Sequence, residues 1–343
     1  MNGLVLFTGL IFFLWLGRTI LIPLLVATFL WYLINAISAY YRKVMPYRTP
    51  EKSKTAKKCF DTLANILSLA TFAGLIHLFI TQIRPMFPEL TAALPGIQQK
   101  LILLGDYVFS YFGATFDPAS LPNISGMVAK FGSSVAGLAT SMGMVLVYMF
   151  FMFIEQSTFN KKFAALFPNK LQSKKMRYIF KSIDENMKKY MFMKTFISGI
   201  TAVLSFFWLQ YIGLEFAGVW AFIVFVTSYI PTIGAIVACS LPILYSLVTA
   251  DTMNLPILTA IGLIALQIGF GNIIEPKLTG KTLNLSTLAI LINLVFWGMI
   301  WGIGGMFFSV PLLVATFIIT AQFDSTRWIA VLLSADGQIP EKK

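Results

Sequence analysis

Charged and polar positions are sparse along this chain, and the intervals between them have the length of membrane crossings. A transmembrane helix needs about 20 mostly apolar residues to cross some 30 Å of hydrocarbon. Residues 2–17 form a short first candidate and residues 19–41 a full second, with Arg18 at the turn between them. Residues 62–83 predict a third span, 131–154 a fourth and 195–213 a fifth. Between the third and fourth, residues 85–130 change character. They carry Pro85, Pro88, Pro95, Pro118 and Pro122, and nearby Arg84, Lys100 and Lys130 balance Glu89, Asp106 and Asp117. That pattern predicts an extracytoplasmic or interfacial insert, in which residues 97–112, apolar at helical spacing, lie along the membrane surface. Residues 173–190 read as an amphipathic cytoplasmic helix bearing Lys174, Lys175, Lys181, Lys188 and Lys189.

Two uncharged runs are too long for one crossing. Residues 216–250 run 35 positions without a charge and residues 282–323 run 42. The second would measure ~63 Å as a single helix, about twice the hydrocarbon thickness. Each run must therefore turn back, and each has a breaker near its middle. The first holds Tyr229-Ile230-Pro231-Thr232-Ile233-Gly234 with Pro242 beyond it; the second holds Trp301-Gly302-Ile303-Gly304-Gly305 with Pro311 beyond it. One uncharged span precedes each hairpin, residues 195–213 and 252–274. A repeated unit of one span plus one hairpin has an odd number of crossings whether the hairpin is re-entrant or fully spanning, so its two copies form an inverted repeat. The expected fold class is an all-α polytopic transmembrane helix bundle, with two broken or re-entrant helical hairpins in an inverted repeat in the C-terminal half. The expected organisation is N-terminal spans with a basic loop at 42–58 (1–84), the insert (85–130), the fourth span and basic helix (131–194), a transport core (195–323) and a cytoplasmic tail (324–343).

Composition supports the membrane reading. Of 343 residues, 57% are hydrophobic and 12% charged, against roughly 25% charged in an ordinary soluble domain. The net charge of +12 does not point to nucleic acid, because 17 of the 26 Lys and Arg fall in residues 42–58 and 161–194. Those stretches flank uncharged spans, where cytoplasmic Lys and Arg accumulate, so both termini are expected in the cytoplasm. The first apolar run has no basic leader and no small-residue cleavage site, so no cleaved signal is expected. Cys59 and Cys239 lie far apart in unlike surroundings and suggest neither a disulfide nor a metal site.

The segments Ser228-Tyr-Ile-Pro-Thr-Ile-Gly, Gly271-Asn-Ile-Ile-Glu-Pro-Lys-Leu-Thr-Gly and Phe296-Trp-Gly-Met-Ile-Trp-Gly-Ile-Gly-Gly-Met-Phe-Phe-Ser-Val-Pro311 resemble the autoinducer-2 exporter family of bacterial inner-membrane permeases. The order of segments agrees over nearly the whole chain. Two positions depart: Asn35-Ala36, where the family usually has Asn-Pro, and Thr232, where an aromatic is common. The resemblance implies export of small solutes from the cytoplasm. Some members are linked to the quorum-sensing signal autoinducer-2 and others to exchange of sodium or lithium for protons, so it leaves the substrate open.

Ionisable groups inside a membrane are costly and therefore informative. Glu275, in Ile274-Glu275-Pro276-Lys277, follows an uncharged span, and the proline frees nearby carbonyls. A carboxylate there suits a cation or a coupling proton, and equally a capping pair with Lys277. Asn272, Lys277, Pro231, Gly234, Trp301, Gly302, Gly304, Gly305 and Pro311 complete the candidate pathway. His77, the sole histidine, Glu215, Asp251 and Asn293 are weaker candidates, more naturally packing, interfacial or helix-joining residues. No nucleotide-binding loop, metal cluster or hydrolase elbow is present, so neither an enzyme nor a cofactor is expected. Three functions remain: a secondary exporter of a small polar solute, a sodium or lithium/proton antiporter on the same scaffold, or an oligomeric channel or scaffold. The expected partners are the lipid bilayer and a small polar solute or monovalent cation; Gly and aromatic residues on lipid-facing spans would allow a homo-oligomer.

Overall fold

A computed structural model describes residues 2–44, 142–155, 158–250, 252–275 and 284–339, with scattered positions between 63 and 126. Cys59, Asp251, Lys277, most of the 42–58 loop and the first part of the fourth expected span lie outside the described residues. Among the described residues the architecture is helical, and the sole extended pairing is an antiparallel bridge between Leu285 and Ser334.

Helices α1 (Asn2–Leu16) and α2 (Arg18–Val44) are separated by Gly17 alone. The described residues from Leu63 to Tyr111 are helical even at Pro85, Pro88 and Pro95. Next come α3 (Met142–Glu155), α4 (Phe159–Leu166) and α5 (Lys170–Tyr211). The C-terminal half continues with α6 (Ala217–Thr227), α7 (Ile233–Thr249), α8 (Asn254–Leu266), α9 (Thr287–Ala321) and α10 (Arg327–Leu333). Among the described residues four helices are long and apolar enough, by length and composition, to cross a membrane: α2 through residues 18–35, α5, α9, and α8 with its extension to Ile274.

Helix α5 corrects one expectation. The basic helix and the fifth span are a single uninterrupted helix of 42 residues, about 63 Å long at 1.5 Å per residue. The Asn169 side chain starts it by accepting from the Leu171 N–H at 3.0 Å, which satisfies one of the free donors of its first turn. Its charged half carries exposed i,i+4 pairs, Lys181–Glu185 and Lys188–Asp184. Its apolar half is packed on α6, α8 and α9. The charge pattern switches midway, while the backbone continues because no proline interrupts it.

Both long uncharged runs turn back as the pattern predicts. Helix α6 has 11 residues, about 16 Å and half the hydrocarbon thickness, and α7 returns after the turn at residues 228–232. Helix α9 is a hairpin of two limbs, residues 287–301 and 303–321, folded at Gly302 with φ 64° and ψ −143°. That backbone conformation belongs almost wholly to glycine. The fold-back is direct, since the Asn293 side-chain amide donates to the Ser309 carbonyl at 2.6 Å, whereas 16 residues of straight helix would separate them by about 24 Å. One glycine closes each hairpin. A Cβ at Gly234 would lie 1.8 Å from the Thr227 carbonyl oxygen, and one at Gly305 2.0 Å from that of Trp297.

The main core joins Phe29, Leu30 and Ile34 of α2, Val145 and Met149 of α3, Met187 and Met191 of α5, and Phe308 and Val314 of α9. A second cluster packs α5, α6, α7 and α8 around Leu209, Val224, Ala238 and Leu263. Outward, many large apolar side chains such as Phe12, Phe150, Phe207 and Ile292 are exposed, as a bilayer-immersed surface requires.

Candidate functional site

Helix α8 does not end as an ordinary helix. From Gln267 to Ile274 it widens into a π-helix whose capping residue, Glu275, donates its N–H to the Phe270 carbonyl. Such widened turns are rare and cluster at functional positions, because they redirect side chains and loosen the backbone ladder. This one ends at the carboxylate singled out above.

Glu275 meets Lys194 of α5, whose ammonium donates to Glu275 Oε1 at 2.5 Å. The side chains are 8% exposed for Lys194 and 24% for Glu275. The other ion pairs among the described residues, Lys162–Glu155, Lys181–Glu185 and Lys188–Asp184, lie on water-facing side chains. Lys194 is the last charge before the apolar half of α5, so the pair sits where the helix leaves water. Burial makes either charge alone expensive, and pairing offsets part of that cost.

The next residue extends the site. Thr195 Oγ1 and the Tyr229 hydroxyl share a hydrogen bond of 2.7 Å, and Tyr229 stands at the tip of the first hairpin, two residues before Pro231. The Tyr229 ring stacks on Phe307 of the second hairpin, with centroids 4.9 Å apart. Phe29 of α2 meets both rings edge-on, at 5.4 and 5.1 Å. Tyr190, one turn before Lys194, lies within electrostatic range of Glu275 and Tyr229. The two hairpins, α2, α5 and the end of the π segment therefore converge on one locus, polar on one side and aromatic on the other.

The other candidates fall elsewhere. Pro231 lies in the first hairpin's turn beside Thr232, whose φ is 61°. Trp301 is buried and its indole donates to the Leu14 carbonyl at 2.9 Å, which ties the second hairpin's tip to α1. Gly304 faces Ile22 of α2, and Pro311 lies in the hairpin's second limb. Asn293 also accepts from the Trp297 indole at 3.1 Å, so it binds the hairpin's limbs together. Asn272 is on the exposed side of the π segment and His77 on an exposed helical position. Glu215 accepts from the Tyr245 hydroxyl at 3.0 Å, at the opposite end of α5's apolar half. Glu275 thus joins the locus, together with the Pro231 turn; Gly234 closes the first hairpin, Trp301, Gly302, Gly304, Gly305 and Asn293 build the second, and Glu215 and His77 stand apart.

Lys194, Thr195, Tyr229 and Phe307 were not singled out from sequence. Lys194 reads there as the end of a basic run. A signal was available: it begins a 4-3-4 series of polar residues through Ser198, Thr201 and Ser205, the period of one buried helix face.

Comparison with known proteins bears on what such a locus serves. The model of the AI-2E family transporter matches residues 4–325. A protein of Haemophilus influenzae (strain ATCC 51907 / DSM 11121 / KW20 / Rd) whose name carries the words transport protein is 30% identical over 256 residues, 74% of this chain and 72% of its own. The AI-2 transport protein TqsA of Escherichia coli (strain K12) is 27% identical over 319 residues, 92% of this chain and 89% of its own. A sodium-lithium/proton antiporter of Halobacillus andaensis is 26% identical over 204 residues, 59% of this chain and 56% of its own.

Proposed function

This chain belongs to the AI-2E family of transporters, and we propose that it exports a small polar solute such as autoinducer-2 through the locus around Lys194, Glu275 and Tyr229. It is a multi-pass membrane transporter and not an enzyme, which sets aside the non-transporting scaffold. The observation that carries the reading is the pair of buried Lys194 and half-buried Glu275, beside the contact between the two hairpins and where α8 is wound wider than an α-helix. A polar centre held by broken helices is how a bundle presents backbone and side-chain groups to a solute inside the bilayer. The positive-inside distribution supports placing both termini, and this end of α5, at the cytoplasmic face.

The test is uptake of labelled autoinducer-2 into everted membrane vesicles. Glu275→Gln and Lys194→Gln are each expected to cut uptake at least about tenfold, since either change strands a buried charge or its partner. Wild-type rates in both variants, at equal protein in the membrane, would sink the reading.

An antiporter reading has support in the Halobacillus andaensis relative and in the Glu275 carboxylate. The Lys194 ammonium at 2.5 Å weighs against it, because a fixed cation already occupies the carboxylate's field. Addition of sodium or lithium to acidified vesicles discriminates. A pH rise inside that disappears in Glu275→Gln would establish exchange.

A further inference from the structure

Four polar side chains share one face of α5, Lys194, Ser198, Thr201 and Ser205, at spacings that follow the helix repeat. As whole residues they are 6%, 2%, 3% and 1% exposed. The face continues to Leu209, which packs among α6, α7 and α8, so it looks into the bundle. In an apolar helix a serine or threonine hydroxyl ordinarily donates to a carbonyl one turn back. Thr201 does so to Ile197, and Thr227, Thr249 and Thr259 follow the same rule. Ser198 and Ser205 do not. Neither hydroxyl has a hydrogen-bond partner, and nor does the buried side-chain nitrogen of Gln267 in the π segment.

Helices α5 and α8 run antiparallel between two ties. Lys194 holds Glu275 at one end, and at the other the Trp208 indole donates to the Leu258 carbonyl at 3.1 Å. Ser198 and Ser205 lie between the α5 ties, and Gln267 between those on α8, near the level of Thr201. Packing does not account for the hydroxyls, because alanine would fill the same space without leaving polar atoms unsatisfied.

We propose that Ser198, Ser205 and Gln267 form a solute-contact site, which hydrogen-bonds a small neutral solute bearing hydroxyl and carbonyl oxygens as it passes between α5 and the π segment. This rests on the exporter reading and adds to it the side chains that would hold the solute. Among the described residues the charges nearest the face, Lys194 and Glu275, are paired and opposite in sign, which suits a neutral solute. A serine hydroxyl both donates and accepts, whereas the glutamine nitrogen only donates. A matching solute therefore needs acceptor oxygens for all three groups and a hydroxyl hydrogen for the serines.

The full-length protein in liposomes tests this with labelled ribose and, in parallel, labelled autoinducer-2. Wild-type protein is expected to carry ribose several-fold faster than protein-free liposomes. The double variant Ser198→Ala/Ser205→Ala is expected to raise the half-saturating ribose concentration at least about tenfold while Thr249→Ala does not. The double variant is also expected to melt no lower than wild type in detergent, because it removes only unpartnered hydroxyls. An unchanged half-saturation overturns the proposal, and so does a lowered melting temperature, which would reveal structural partners. Absence of ribose flux overturns it too; flux of labelled autoinducer-2 in the same liposomes would then leave the exporter reading standing, and loss of both fluxes would count against that reading itself.

Discussion

Lys194 and Glu275 lie 81 positions apart in sequence, yet each decides what the other can be. Removing one partner of a buried pair strands a charge and costs about 3–5 kcal/mol when both are fully enclosed. Glu275 keeps a quarter of its side chain exposed, so Lys194→Met is expected to cost less, about 2–3 kcal/mol. Replacing both, as Lys194→Met/Glu275→Leu, should recover most of that loss of stability and none of the transport, a pattern that thermal melting and vesicle uptake together read out. At the neighbouring contact, Tyr229→Phe keeps the stacking on Phe307 and removes the bond to Thr195. A cost of about 1 kcal/mol is expected, with slower uptake; an unchanged rate would confine the hydroxyl to a structural part. Glu275 was legible in sequence because it is a lone carboxylate ending an uncharged span. Its partner was not, because Lys194 closes a run of basic residues whose other members face water, and charge alone does not tell a buried lysine from a solvated one.

The two hairpins carry the same closing device, a glycine pressed onto a carbonyl of the opposite limb. Gly234→Ala and Gly305→Ala would each place a Cβ within 2.0 Å of backbone oxygen, which only a spreading of the limbs relieves. Both variants are expected to lose transport and to melt several degrees lower. Gly302→Ala acts differently, since its site is open but its backbone is left-handed, and about 1–3 kcal/mol of strain is expected. Gly269→Ala, within the π segment and with open space at its Cβ, serves as the tolerated control in the same melting and uptake assays. The hairpins could be read from sequence because an uncharged run twice the bilayer thickness has to fold back, and the Gly and Pro positions mark where. Two features could not. The joining of the basic helix to the fifth span follows from backbone continuity, which the change from charged to apolar residues conceals. The π segment has no periodicity of its own in Gln267–Ile274, where glycine and asparagine read equally well as an ordinary helix end.

For the molecule as a whole, residues 324–339 are packed and hydrogen-bonded against the second hairpin. Helix α10 packs on α9 through Ala330, Phe317 and Ala321, and the Asn284 amide donates to both Asp336 and the Gln338 carbonyl, at 2.7 and 2.8 Å. The Ser286 N–H donates to the Leu333 carbonyl at 2.8 Å, so the open end of the second hairpin is clasped by the tail. Truncation before Arg327 is expected to lower the melting temperature and the amount of protein in the membrane, whereas Asn284→Ala should do so mildly; equal melting of the truncated and full chains would show the clasp to be idle. The same connectedness gives α5 a mechanical character. A helix of 42 residues without a proline is a stiff rod, clamped near its middle by Glu275 and by the Tyr32–Asp184 bond. A tilt of its lysine-rich arm is therefore expected to pivot on those two contacts and to move the segment bearing Ser198 and Ser205 as one body.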